Sequence, residues 1–164
     1  MRRDWSARPF EVANLFNPAY CALIVRHSVE GYSVIKQRGL PYSLAFLALP
    51  IVLHAPSSRL LPTSAKTKLH IWLQQNPEIK LGFGERVRGT NDFTREAIFF
   101  GLRYGSLILT TGGTIVPVKK RRKALPWSED SNPRALLRRA NLIGKLFAAV
   151  DDVSNVFAML GVRP

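Results

Sequence analysis

The chain has 164 residues, of which 46% are hydrophobic, and a formal net charge of +13. This length predicts one domain, and the apolar content supports a buried core, which excludes a chain that is disordered throughout. The single cysteine, Cys21, excludes an intramolecular disulfide and a thiolate metal cluster. We therefore expect a cytoplasmic protein.

The sequence also predicts neither a membrane anchor nor export. The longest apolar stretch covers residues 40–55 and is interrupted by Pro50 and His54. Because a spanning helix needs roughly 20 apolar residues, this stretch is typical of a buried core helix. Arg2 and Arg3 have the charge of a signal-peptide start, but no apolar segment follows them.

The first half of the chain reads as helical. A short apolar turn covers residues 10–16, and Asn17 followed by Pro18 is a favoured helix start. The apolar spacing then predicts a helix to about Ile35, with Arg26 on its exposed face.

Two further helices follow in chain order. Residues 41–54 are apolar on nearly all sides, and Pro50 should kink that helix or end it early. Residues 55–62 read as a loop. Thr63 then offers an N-cap for a helix to about Gln75.

The next segment predicts two helices and a hairpin. One helix should open at Asn76-Pro77 and run through Arg88, and residues 90–92 should cap another that Gly105 ends. Residues 106–118 then form two short apolar strands around Gly112-Gly113. The order helix, helix, hairpin is that of a winged helix-turn-helix.

A run of five cations, Lys119, Lys120, Arg121, Arg122 and Lys123, follows the second strand directly; we call it the basic run. From Lys119 to Lys145 the chain holds nine cations and two carboxylates. This concentration favours a polyanionic partner, either phosphates or an acidic protein face, and we interpret the basic run as a candidate nucleic-acid contact. Arg95 and Arg103 should extend that contact from the outer face of the preceding helix, where Thr94 is also expected and where Glu96 adds repulsion. The alternative interpretation is a solubilising surface.

Two capped helices are predicted at the C-terminus. Asn132-Pro133 should start one, and Asp151-Asp152 should cap the last, which Gly161 closes. The fold class is thus mainly α with a β-hairpin (α+β): a winged helix-turn-helix-like core plus C-terminal helices. We divide the chain into residues 1–123 and 124–164, the second part packing on the first.

The residues predict no catalytic, cofactor-binding or metal-binding site. The segment Thr111-Gly112-Gly113-Thr114 lacks the lysine and the following helix of a phosphate-binding loop. His27, His54 and His70 lie on separate predicted helices without the spacing of zinc ligands. We therefore expect a binding protein rather than an enzyme. Three tryptophans suit the anchoring of a protein partner: Trp5, Trp72 and Trp127.

Three segments carry a family resemblance: residues 8–21 (RPFEVANLFNPAYC), 39–50 (GLPYSLAFLALP) and 157–164 (FAMLGVRP). With them the chain resembles the middle component of bacterial three-component ABC systems. The resemblance implies an adaptor that works with an SMC/Rad50-like ABC ATPase and an effector component, in conflict with phage or other invading DNA. It implies no catalytic residues.

Two hypotheses follow. In the first, the protein is an adaptor that bridges the ATPase and the effector, with its basic run making non-specific DNA contact. In the second, it is a free-standing winged-helix transcriptional regulator, which should prefer one DNA sequence by about a thousandfold or more.

Overall fold

A computed structural model describes residues 7–119 and 123–164 of the chain. It shows a mainly helical protein with a small antiparallel sheet. The helices are α1 (Phe10–Leu15), α2 (Pro18–Lys36), α3 (Ala45–Val52), α4 (Ala55–Arg59), α5 (Leu69–Gln75), α6 (Phe83–Arg103), α7 (Asn132–Ala148) and α8 (Val153–Leu160). The strands are β1 (Leu40–Pro41), β2 (Leu107–Leu109) and β3 (Thr114–Pro117).

The predicted start of α2 is confirmed. The side chain of Asn17 accepts hydrogen bonds from the backbone N–H groups of Ala19 and Tyr20, at 2.9 and 3.3 Å. Pro18 occupies the first helical position, where its missing N–H costs nothing. Cys21 on this helix is completely buried, as a small core residue should be.

α2 and α7 pack closely because two glycines face the contact. A Cβ atom added to Gly31 would lie 1.9 Å from the backbone oxygen of Asn141, and one added to Gly144 would lie 1.9 Å from that of Ser28. One hydrophobic cluster includes buried residues of both helices. The division into residues 1–123 and 124–164 stays a prediction.

The segment between α3 and α5 differs from the prediction. α3 is almost entirely buried and ends two residues after Pro50, in agreement with the sequence. The expected loop at 55–62 contains α4, whose N-terminus is capped by His54: its ring nitrogen Nδ1 accepts from the N–H of Ser57 at 3.4 Å. α5 begins at Leu69 rather than at Thr63.

α6 is one continuous helix where two were predicted. The expected cap at residues 90–92 was wrong, because Thr90 donates its hydroxyl to the carbonyl of Arg86 at 2.9 Å inside the helix. Thr94, expected to face outward, is completely buried and donates to the carbonyl of Thr90 at 3.0 Å. Because these hydroxyls donate to carbonyls of the same helix, they do not act as caps, and the helix continues through residues 90–92.

The predicted hairpin is confirmed, and a third strand joins it. β2 and β3 pair through Leu107 with Pro117 and Leu109 with Ile115, and β1 pairs with the other edge of β3. The strand order is β1-β3-β2. The structure confirms a mainly helical fold with a small sheet. It does not confirm the winged helix-turn-helix arrangement.

α8 ends the fold as predicted. The carboxylate of Asp152 accepts from the N–H of Ser154 at 2.9 Å, and Gly161 closes the helix with a φ of 72°. α7 begins one residue earlier than predicted, with Ser131 before it. Within the described ranges, the helices are all too short or too polar to cross a membrane.

Candidate interaction surfaces

Arg26 fixes the open end of the hairpin to α2. Its side chain, predicted to be exposed, is buried: the guanidinium donates to the carbonyl of Ser106 and, at 2.9 Å, to that of Val118. Its Nε also donates to Glu30 at 3.0 Å. The prediction failed because these acceptors lie some eighty to ninety residues further along the chain. Arg26 therefore determines where the basic run leaves the sheet.

The basic run begins at that open end, away from the Gly112-Gly113 turn. The N–H of Val118 donates to the carbonyl of Ser106 at 3.0 Å. Among the described residues, this is the last backbone hydrogen bond before Lys119. Lys119 and Lys123 are exposed. Lys120, Arg121 and Arg122 lie outside the described residues. Lys119 therefore lies beside the base of the hairpin, at the end away from its turn.

The predicted cations of α6 are exposed, and one carries a counter-ion. Arg95 lies 3.4 Å from the carboxylate of Asp92, and Arg103 is exposed two turns further along. Glu96 was expected to repel DNA, but Arg8 binds its carboxylate with two hydrogen bonds, one of 3.0 Å. Hydrogen bonding to Glu96 is the main reason that the pKa of Arg8 lies above its usual value. The charge of Glu96 is thus compensated within the protein.

An apolar surface lies where α6 meets the hairpin; we call it the α6–hairpin surface. Its side chains Phe99, Leu109 and Tyr42 are 51%, 44% and 37% exposed. They line a groove of about 550 Å³, with Arg95 at its edge. Exposed aromatic and arginine side chains together are typical of protein interfaces. The spacing in the sequence already indicates that these side chains share one face of the helix, since Phe99 lies one helical turn from both Arg95 and Arg103.

The tryptophans have different environments. Trp72 is 1% exposed and donates its indole N–H to the carbonyl of Leu60 at 2.7 Å, so it belongs to the core and has no surface for a partner. Its expected role in partner binding does not fit this fold. Trp127 is partly buried and packs edge-on against Tyr20, with ring centres 5.4 Å apart. Trp5 lies outside the described residues.

The histidines lie apart. His27 is on α2, His54 caps α4 and His70 is exposed on α5. Burial is the main cause of the lowered pKa of His54. In the part of the chain that the structure describes, the histidine, cysteine and acidic side chains form no group of three that could hold a metal ion.

The fold and these surfaces define a small, strongly basic, mainly helical protein with an exposed apolar surface beside a hairpin. The chain belongs to the family of the ABC-three component (ABC-3C) system Middle Component 3, whose model matches residues 5–164. This match confirms the resemblance found in the sequence and implies partner components. Neither the curated proteins nor the solved structures gave a match.

Proposed function

We propose that this protein is a non-enzymatic adaptor that bridges an SMC/Rad50-like ABC ATPase and an effector in defence against phage or mobile elements. The observation that carries the proposal is the family match over residues 5–164, since a middle component works with other components. In this proposal the basic run adds non-specific DNA contact.

The α6–hairpin surface is the proposed docking site for one partner component. Phe99 and Leu109 would be covered by apolar side chains, which is worth about 25 cal/mol for each Å² removed from water. Arg95 and Arg103 flank this surface and favour carboxylates on the partner. β2 is an edge strand of the described sheet, and in this proposal an extended segment of the partner pairs with it.

The basic run has a separate task in this proposal. Its first residue, Lys119, follows Val118, whose carbonyl Arg26 binds. This position is at the opposite end of the hairpin from Thr110 and Thr111, which line the α6–hairpin groove. Replacing the five cations of the run by glutamate should weaken DNA binding and leave complex formation intact. If the complex itself is lost, this division of tasks is wrong.

Affinity purification of the protein from its own host, with nuclease treatment and mass spectrometry, tests the adaptor role. Nuclease removes proteins that are held only through shared DNA. Retention of an SMC-like ATPase and a second component supports the adaptor. A protein that emerges alone and prefers one DNA sequence by about a thousandfold or more over random DNA is instead a transcriptional regulator.

A further inference from the structure

A groove lies between α7 and the loop that precedes α5; we call it the α7 groove. It has a volume of about 710 Å³. Its lining includes Arg138, Arg139, Asn141 and Lys145 of α7 together with residues 62–65 of the loop. None of these residues belongs to the α6–hairpin surface or to the basic run.

The lining is cationic. Among the described residues that line the groove, Arg138, Arg139 and Lys145 carry positive charge, and none carries a carboxylate. Glu129 lies outside the lining, 3.9 Å from the guanidinium of Arg138, and is mostly exposed to solvent. It balances at most one of the three charges. The groove therefore has an excess of positive charge that an anionic ligand would neutralise.

The two arginines are held in place by the fold. Arg139 donates to the hydroxyl of the buried Ser58 at 3.1 Å, and Arg138 donates to the backbone carbonyl of Glu129 at 2.9 Å. Each bond uses one of the five N–H donors of a guanidinium. Because their orientation is partly fixed before binding, less conformational entropy is lost when a ligand arrives.

We propose that the α7 groove binds the phosphate backbone of a nucleic acid without reading its bases. Arginine, lysine, serine, threonine and asparagine are the side chains that contact phosphates in such complexes, and all five types line the groove. Arg138 and Lys145 lie two helical turns apart, roughly 10 Å along the axis, so they reach different phosphates. Apart from the imidazole of His27, the described lining holds no aromatic ring on which a base would stack.

An acidic protein segment is the other polyanion that the charge would attract. Stable protein interfaces bury aromatic and apolar side chains at their centre, and the groove offers only Pro62, Ala65, Ala135 and Leu142 for such contacts. The observations therefore favour phosphates. This inference rests on the groove itself and holds whether or not the protein is an adaptor.

The test is binding of the isolated full chain to a labelled DNA duplex of mixed sequence, measured by fluorescence anisotropy at several salt concentrations. Three groove cations that neutralise three phosphates contribute about −2.7 to the slope of log affinity against log salt. The variant Arg138→Gln/Arg139→Gln/Lys145→Gln should lose that contribution. A control, Arg38→Gln/Lys80→Gln/Arg163→Gln, removes the same charge from exposed sites outside the groove and should change the slope by less than about 0.9.

Equal slopes for the groove variant and the control would overturn the proposal, because net charge alone would then explain binding. If the triple variant does not fold by circular dichroism, Lys145→Gln alone should make the negative slope less steep by about 0.9, and an unchanged slope would overturn the proposal. A glutamate-rich peptide that displaces the label more effectively than unlabelled DNA would also overturn it and assign the groove to an acidic protein. These DNA-binding outcomes keep the same meaning if the protein is not an adaptor.

Discussion

The α2–α7 interface and the α6–hairpin surface use apolar residues in opposite ways. In the interface, Gly31 and Gly144 let two backbones approach so closely that an added Cβ atom would overlap a carbonyl oxygen. At the surface, Phe99 keeps half of its area in contact with water. The first arrangement stabilises the fold. The second contributes little to it, which is expected of a surface that a partner covers.

The same contrast holds for the arginines. Arg26 is buried and uses its guanidinium to join α2 to the strands of the hairpin. Arg95 and Arg103 are exposed on α6. A cation that faces carbonyls of the same chain holds the fold together, whereas one that faces solvent remains available to a partner.

The largest loss of stability is expected from Gly144→Ala. Its Cβ atom would lie 1.9 Å from the backbone oxygen of Ser28, and a helix backbone cannot move aside as a flexible side chain can. We expect a loss of about 3 kcal/mol, the upper end of the range typical of overpacking, measured by urea denaturation.

Gly89 offers a matched control for Gly144, because it also lies within a long helix but has no heavy atom within 4 Å of an added Cβ atom. Gly89→Ala should increase stability by about 0.5–1 kcal/mol, since alanine favours the helix. Equal effects of the two substitutions would show that the close approach of α2 and α7 has no energetic importance.

The next largest effect is expected from Arg26→Met. The change removes a buried charge that donates to the carbonyls of Ser106 and Val118, and it should cost about 3 kcal/mol. The amides of β2 and β3 should exchange with solvent faster than in the wild type.

The control is Arg95→Met, which removes an exposed cation and should change stability by less than about 0.5 kcal/mol. Hairpin exchange that stays unchanged would contradict the anchoring role of Arg26.

At neutral pH, the smallest effect on stability concerns Cys21, which lies within the buried face of α2. Burial raises the pKa of its thiol to about 12, so the reactive thiolate is scarce at pH 8. A thiol reagent should therefore label the native protein slowly and the urea-unfolded protein quickly.

The raised pKa of Cys21 also has a consequence for stability. Above pH 8.5, the approximate pKa of a free thiol, the folded protein holds a proton that the unfolded chain has released. Stability should therefore fall as pH rises from that value toward 12. Rapid native labelling, or stability that rises over this range, would contradict the buried position of Cys21.

Local signals predicted the ends of several elements correctly. Asn17 and Asp152 act as caps, and Gly161 ends α8, because each of these effects involves only neighbouring residues. The break expected at Thr90 was wrong, since its hydroxyl bonds back into α6. Pairing of β1 with β3 and the burial of Arg26 depend on residues far apart in the chain, which local patterns do not encode.

The exposure of the candidate site residues was predicted in part. Their charges were visible in the sequence, since Arg95, Arg103 and Lys119 are exposed as expected. Trp72 was misassigned because its size and polarity suit an interface as well as a core. The α7 groove could not be predicted because its second wall comes from residues 62–65, which the chain brings to α7 only through the folded structure.

The most direct test of the α6–hairpin surface is nuclease-treated affinity purification of the variant Phe99→Ser/Leu109→Ser. A matched control, Val34→Ser/Leu81→Ser, changes two side chains that are 67% and 72% exposed elsewhere. Both variants should differ from the wild type in stability by less than about 1 kcal/mol. We predict that the surface variant loses one partner component and that the control keeps it. Retention of every partner by the folded surface variant would contradict the docking role of this surface.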